Sequence, residues 1–401
     1  MLSQTLANLL RLPEMVVLVA VGALMGPSVL VLVENPLEGV GAQLVFTIGV
    51  SLILFHGGTG ISLRVISRTA VGLGLLVLPG VLLTAGVVAL AVAPVFGVPL
   101  SVALMVGAVL AATDPAILIP LFDDIHLKPK VAQTVVAESG FNDTVGTVFA
   151  LAVAGAVASG DAALSEPAFE FVRSLLLGAL IGVVAGVALS FLVSSRKGGA
   201  WRESPAVAIL AVVALGYVSV ETLGGSGYLA AFVMGLIVGN MEFLNLGQHD
   251  EHAILLEGFV GQVAEIAVLL VFVTLGINLP FGALYEYLAG GLVVMAVFIL
   301  VARPLTVLVC LLPDRRGGWT REELIFLSWC RETGVIPAAL AALLLTQGIP
   351  GADIAVSMVA LAVCVTLLLQ ATTAGPLARR LGLIEDQPAT PSDYKGRQAE
   401  S

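Results

Sequence analysis

Charge is what this sequence most lacks. Lys and Arg number 18 and Asp and Glu 28, together 11% of 401 residues, where a soluble domain carries about 25%. No long polar stretch exists to solvate a soluble core, and 58% of the residues are hydrophobic. A soluble enzyme, a disordered scaffold and a nucleic-acid binder are excluded. Cysteine is nearly absent. Cys310, Cys330 and Cys364 lie in apolar surroundings without CxxC spacing or a histidine beside them, which argues for small core residues rather than metal ligands or a disulfide framework. Met1–Leu12 lacks a continuous apolar core and a small-residue cleavage site, so no cleavable signal peptide is read there.

What is abundant is apolar run length. A bilayer core about 30 Å thick needs roughly 20 apolar residues per helical span. Such stretches fall near 14–33, 40–60, 69–96, 99–122, 130–158, 168–194, 204–222, 226–241, 253–278, 287–312, 322–347 and 352–376. They are too long and continuous for barrel strands, and open sheet edges do not survive in lipid. The pattern predicts an all-α polytopic membrane protein of twelve spans. Met1–Leu10 is amphipathic and half a span long, which fits either a surface helix or the end of a helix that begins before Met1.

Fifteen cations, among them Arg11, Arg64, Arg68, Lys128, Lys130, Arg196, Lys197, Arg202, Arg315 and Arg316, fall in alternate loops or the C-terminal tail, against Arg173 alone on the other side. The positive-inside rule then makes the Arg64 and Arg316 loops and the C-terminus cytoplasmic. The tail, about 385–401, reads as disordered, and residues 1–384 as one membrane unit.

The chain also repeats itself. Gly60-Ile-Ser-Leu63 and Gly276-Ile-Asn-Leu279 are 216 residues apart, and FVMGLIVG at Phe232–Gly239 echoes LVAVGALMG at Leu18–Gly26. A seven-span offset inverts the second copy, the arrangement of secondary transporters built around discontinuous helices. Breaks are expected at Thr113-Asp-Pro115 with Pro120, and at Arg331-Glu-Thr-Gly334 with Pro337, since proline removes a donor and glycine tolerates unwinding. Thr113 and Thr333 are 220 apart. Two crossed, broken helices would flank a polar site near the midplane.

Ionisable groups inside a bilayer are functional candidates by default. Here they are Asp114, Glu138, Asp143, Glu257, Glu265, Arg303, Arg331 and Glu332, with His56 near a cytoplasmic end. In AESGFNDT, Glu138 and Asn142 share one helical face and Ser139 and Asp143 a neighbouring one. One face is expected to pair Glu138 with Arg331. The other offers Asp143, Ser139, Asp114 and Thr113 oxygens to a small hard cation. Proton and cation competing for Asp143 suffice for exchange. Glu257 and Arg303, nearer helix ends, read as snorkelling or packing residues. Gly182–Gly186 and Gly235–Gly239 form GxxxG patterns that fit close helix packing, a dimer interface being one use. Gly224-Gly-Ser-Gly227 has a serine-hydrolase look, but all four histidines are expected across the membrane from Ser226, so a tight turn is predicted and no enzyme. A passive cation channel, the other rival, needs an open pore.

GAVLAATDP (Gly107–Pro115), ESGFND (Glu138–Asp143), FHGGTGISL (Phe55–Leu63) and the Arg331 helix resemble the NhaP branch of monovalent cation/proton antiporters. The resemblance spans nearly the whole chain. It implies the NhaA-like antiporter fold and a homodimer of thirteen helices. Core helices (about 69–158 and 287–376) would move against dimer helices (about 1–60 and 204–278), with a linking helix at about 168–194. It implies Asp143 as carrier of Na⁺ (or Li⁺) or H⁺, assisted by Asp114, Ser139 and Thr113, and a buried Glu138–Arg331 pair supported by Asn142. It further implies electroneutral exchange in the cell membrane without a cofactor. A K⁺/H⁺ antiporter of the same fold is the alternative. Two positions depart from the pattern: His56 stands where relatives place an acid, and Glu332 where they commonly have glycine.

Overall fold

The structure, a computed structural model, describes residues 14–27, 29–33, 45–113, 122, 125–159, 165–193, 205–244, 246, 251–277, 279 and 281–385. Met1–Leu12, Asp114, Pro115, Pro120, the tail beyond Glu385 and the side chain of Glu257 lie outside the described residues. Among those described, secondary structure is helical apart from one isolated bridge between Leu127 and Ile384.

All twelve apolar stretches carry helix. The first half runs α1 (Glu14–Met25), α2 (Val50–Thr59, entered by a π turn at Val45–Gly49), α3 (Leu63–Val77), α4 (Pro79–Phe96), α5 (Leu100–Ala111) and α6 (Pro129–Ser159). Next come α7 (Ser165–Val193), α8 (Pro205–Thr222), α9 (Gly227–Gly239) and α10 (Glu251–Ile277). The chain continues through α11 (Phe281–Glu286), α12 (Leu288–Val297), a π turn at Phe298–Ala302 and α13 (Arg303–Leu311). It closes with α14 (Arg321–Trp329), α15 (Val335–Thr346), α16 (Ala352–Val365), a π turn at Thr366–Ala371 and α17 (Thr372–Arg380). Among the described residues, five continuous stretches, Thr69–Phe96, Pro129–Ser159, Val172–Val193, Leu288–Leu311 and Ala352–Arg380, are long and apolar enough to cross a membrane. Leucines such as Leu90, Leu176, Leu180, Leu215 and Leu300 are exposed on the outer faces, as lipid-facing residues must be.

Helix ends follow local chemistry. The first apolar stretch was expected to run to 33, but α1 stops at Met25 because Gly26-Pro27 follows. Pro79 and Pro304 fall at the first turns of α4 and α13, where one continuous helical stretch changes segment rather than ends. A capping box at Thr320 and Glu323 starts α14. Two ends form in mid-bundle at the breaks expected from sequence: α5 closes at Ala111 and runs into extended Ala112, and α14 closes at Trp329 with Cys330–Gly334 unwound.

Packing depends on glycine. A Cβ on Gly22 would sit 2.1 Å from the Val273 carbonyl oxygen, and one on Gly276 2.1 Å from that of Val19. The α9–α2 crossing repeats this, with Gly58 against Phe232 and Gly235 and Gly239 against Phe55 and Thr59. Gly182 and Gly186 pack on Ala230, Val233, Met234 and Ile237 of α9. Both GxxxG pairs are therefore used for close helix packing inside the chain, as their spacing suggests, with α9 sandwiched between α2 and α7. Gly224-Gly-Ser-Gly227 is the expected turn, with Gly224 at φ +77° and Ser226 capping α9 through Leu229 N–H at 3.3 Å.

The basic loops meet at one end of the bundle. Lys130 bonds Glu323 at 2.7 Å and Gly318 O at 3.0 Å, Asp314 accepts from Gly72 N–H and Trp319 Nε1, and Lys128 N–H reaches Leu383 O at 2.8 Å. At the same end Asn240 holds the α2–α3 break, donating to Ile61 O at 2.7 Å and accepting from Leu63 N–H at 2.9 Å.

Gly235→Ala is expected to destabilise the purified protein by about 1–3 kcal/mol, the usual cost of overpacking. Gly86→Ala, where a Cβ meets nothing within 4 Å, should match or exceed the parent. Thermal melting in detergent reads both; equal melting of Gly235→Ala and the parent would refute the close crossing.

Candidate functional site

The string AESGFND lies mid-way along α6, which stays helical through it. Glu138, Ser139, Asn142 and Asp143 are each no more than 2% exposed. Asn142 Nδ2 donates to Glu138 Oε1 at 3.3 Å, so the four-residue spacing does place these two on one face.

Glu138 does not pair with Arg331. Its carboxylate is held in a fork by Arg303, with Nη1 to Oε1 at 2.5 Å and Nη2 to Oε2 at 2.9 Å. The same guanidinium donates from Nε to Leu327 O at 2.9 Å and from Nη2 to Cys330 O at 3.5 Å. The expectation of a snorkelling Arg303 is likewise corrected, because it is 2% exposed. It stands eight residues, about 12 Å of helix, before the end of α13 at Leu311, too deep to reach water. The π turn immediately before it resets the helical register.

Arg331 serves the other break. It lies in the unwound segment, and its Nη2 donates to Ala111 O while Nη1 reaches Thr84 Oγ1 at 3.4 Å. Its guanidinium also stacks over Phe298 at 5.2 Å. Thr84 in turn bonds Thr306 at 2.9 Å. Ala111 and Arg331 are 220 residues apart, Thr84 and Thr306 222, the offset already seen in the sequence.

The end of α5 rests on α6. A Cβ on Gly146 would lie 2.9–3.0 Å from Ala112, which sets the unwound Ala112–Thr113 backbone one turn from Asp143. Thr113 is 3% exposed, and its hydroxyl has no hydrogen-bond partner among the described residues, nor does Asn142 Oδ1. Asp114, expected beside them, lies outside the described residues. Tyr228 of α9 is within electrostatic reach of Asp143 and of Glu221, and its ring meets Tyr217 at 5.1 Å. Sequence reasoning missed this tyrosine pair, as it missed Arg303 and the Thr84–Thr306 bond; the repeat offset was the available signal for the last.

The remaining candidates scatter. Glu332 is fully buried and takes no part in the Glu138–Arg303 pair. His56 is half-buried on α2 and faces Gly261 of α10. Glu265 is exposed. What converges around α6 is therefore carboxylate, hydroxyl and carbonyl oxygen, a donor set for a hard cation. No group of three or more His, Cys, Asp or Glu able to hold a metal ion occurs among the described residues.

The family model for the transmembrane sodium/hydrogen exchanger matches residues 1–380. The chain is 27% identical over 379 residues to the K(+)/H(+) antiporter NhaP of Alkalimonas amylolytica, covering 92% of this chain and 63% of that one. It is 30% identical over 390 residues to the K(+)/H(+) antiporter NhaP2 of Shewanella oneidensis, covering 93% and 64%. Both relatives are thus about half as long again. The solved structure of the sodium proton antiporter MjNhaP1 from Methanocaldococcus jannaschii superposes with a TM-score of 0.76 at 27% identity, covering 95% of each chain.

Removing one partner of a buried ion pair costs about 3–5 kcal/mol, so Glu138→Ala and Arg303→Ala should each melt well below the parent. A double-mutant cycle should give a larger coupling for Glu138 with Arg303 than for Glu138 with Arg331. The reverse order would restore the pairing expected from sequence.

Proposed function

The chain belongs to the sodium/hydrogen exchanger family, and we propose that it is a secondary antiporter exchanging a monovalent cation for H⁺ at Asp143. The observation that carries this is the division of labour on α6. Glu138 is committed to Arg303 through two hydrogen bonds, which leaves the exchange to the neighbouring face, where Asp143 and Ser139 are buried beside the end of α5. A cation there displaces the proton from Asp143, with Ser139, the Thr113 hydroxyl and Asp114 completing an oxygen shell. Asn142 keeps Glu138 oriented. When the site opens to the other side, a proton displaces the cation.

Alternating exposure would come from core helices (about 69–158 and 287–376) moving against scaffold helices (about 1–60 and 204–278), linked by about 168–194. A second apolar cluster formed by residues of α2, α7, α8, α9 and α10 supports that partition. Contacts at the 216–222 offset support an inverted repeat, for α1 crosses α10 as α9 crosses α2. The gathering of basic loops at one end supports a cytoplasmic C-terminus in the cell membrane. A homodimer, electroneutral stoichiometry and Na⁺ (or Li⁺) as preferred ion complete the reading. The K⁺/H⁺ exchange for which the two NhaP relatives are named favours K⁺ as the second choice.

The test is proteoliposomes with a trapped pH dye, given Na⁺, Li⁺ or K⁺ in turn with the membrane potential clamped or free. Proton movement on cation addition, unaffected by voltage, is expected, and uphill proton movement driven by the cation gradient excludes a channel. Asp143→Ala should fold and show no exchange. Competition also fixes the sign of the pH dependence: the half-saturating cation concentration falls as pH rises, by up to about tenfold per unit while the carboxylate is protonated. Substantial exchange by Asp143→Ala would defeat the mechanism.

A further inference from the structure

The second break holds a carboxylate that the exchange at Asp143 does not use. Glu332 sits in the unwound Cys330–Gly334 segment at 0% exposure, and neither carboxylate oxygen has a hydrogen-bond partner among the described residues. Nearby charge does not compensate it. Arg331 bonds Ala111 O and Thr84, and Arg303 is held by Glu138. The titratable group coupled to Glu332 is the Cys330 thiol, also fully buried, and the Thr366 hydroxyl lies beside the carboxylate without a well-formed bond. A buried carboxylate so placed is tolerated only when a proton or a cation neutralises it.

Its surroundings are polar in a patterned way. The Thr333 hydroxyl and Gln370 Oε1, 0% and 1% exposed, also have no partner among the described residues. Thr366 opens a π turn, a distortion that recurs at functional sites. Thr366, Gln370 and Thr373 all meet the unwound segment or its entry: Thr333 N–H reaches Thr366 Oγ1 at 3.4 Å, Gln370 Nε2 donates to Trp329 O, and Trp329 Nε1 donates to Thr373 Oγ1 at 2.8 Å. Thr366, Gln370 and Thr373 follow one another at four- and three-residue steps toward the Arg379–Arg380 end of α17.

We propose that Glu332, with the Thr333 and Thr366 hydroxyls, is a second ion-binding site that takes a proton or a monovalent cation in turn and is reached along Thr373 and Gln370. The inference rests on the exchange reading for its ion, though not for its location. Proton binding adds H⁺ to the Glu332 carboxylate; cation binding at the same oxygens returns that H⁺ to solvent, so charge and protons balance.

Proton release distinguishes one site from two. Purified full-length chain in detergent, weakly buffered with a pH indicator, is titrated with NaCl or KCl against a choline chloride control. Cation binding at two carboxylates should release about two protons per chain from the parent, about one from Glu332→Gln or Asp143→Asn, and none from the double variant. Thr366→Val keeps the carboxylate and should shift only the second release, to several-fold higher cation concentration. Thermal melting checks that each variant is folded. Release from Glu332→Gln equal to the parent, with Thr366→Val also unchanged, overturns the second site. Release that survives Asp143→Asn but vanishes in Glu332→Gln supports the second site while overturning Asp143 as the carrier.

Discussion

Arg303 lies against three helices at once: it grips Glu138 on α6, grows from the start of α13, and donates to the Leu327 and Cys330 carbonyls where α14 unwinds. A helix that ends in an apolar interior exposes up to four carbonyls and the negative end of its dipole. Neither water nor a following turn is there to meet them. A guanidinium meets both needs, since its donors bond the carbonyls while its charge opposes the dipole. Arg331 does the same for α5 through Ala111 O. The two mid-bundle helix ends thus depend on two arginines, and Glu138 keeps one of those arginines from being a buried charge without a counter-ion. Loosening that carboxylate would release α6 and α14 together.

Close backbone approach is the second condition. Where α1 meets α10 and α2 meets α9, glycines face the partner's carbonyl oxygens at distances no side chain would permit. Such crossings are smooth and stiff, and they bury little polar surface. The region around the breaks is built differently, from side-chain bonds such as Thr84–Thr306 and Trp329–Thr373 that can be exchanged one for another. Close-packed crossings beside a core joined by side-chain bonds are the arrangement that the proposed movement of an ion site would use.

How much of this was legible in the sequence depended on what each feature responds to. Span positions follow from hydrophobic length alone, so 129–159 and 165–193 came within a few residues of the expected 130–158 and 168–194. The breaks were legible because Pro, Gly and charged residues cannot continue an apolar helix, and Cys330–Gly334 lies where Arg331-Glu-Thr-Gly334 placed it. The α6 face was legible from four-residue spacing. Pairing was not. Whether Arg303 or Arg331 meets Glu138 depends on helix rotation and on a π turn, which spacing alone does not give. The GxxxG glycines carried no information about whether their partner belongs to the same chain.

The distribution of unpaired polar atoms bears on how such a site turns over. Leaving a buried polar group unsatisfied costs about 1–3 kcal/mol, and most buried polar groups avoid it. Here Thr113, Asn142, Arg331, Glu332, Thr333 and Gln370 each keep an atom without a partner among the described residues, and all belong to the two breaks or the helix faces beside them. An interior that paired all of these atoms would gain stability but offer nothing to an ion that has shed its water. On the reading proposed above, binding would supply the missing bonds, and the ion's dehydration cost would offset most of the gain. A small net affinity is what exchange requires, because an ion held by fully optimised ligands would leave too slowly for a proton to replace it.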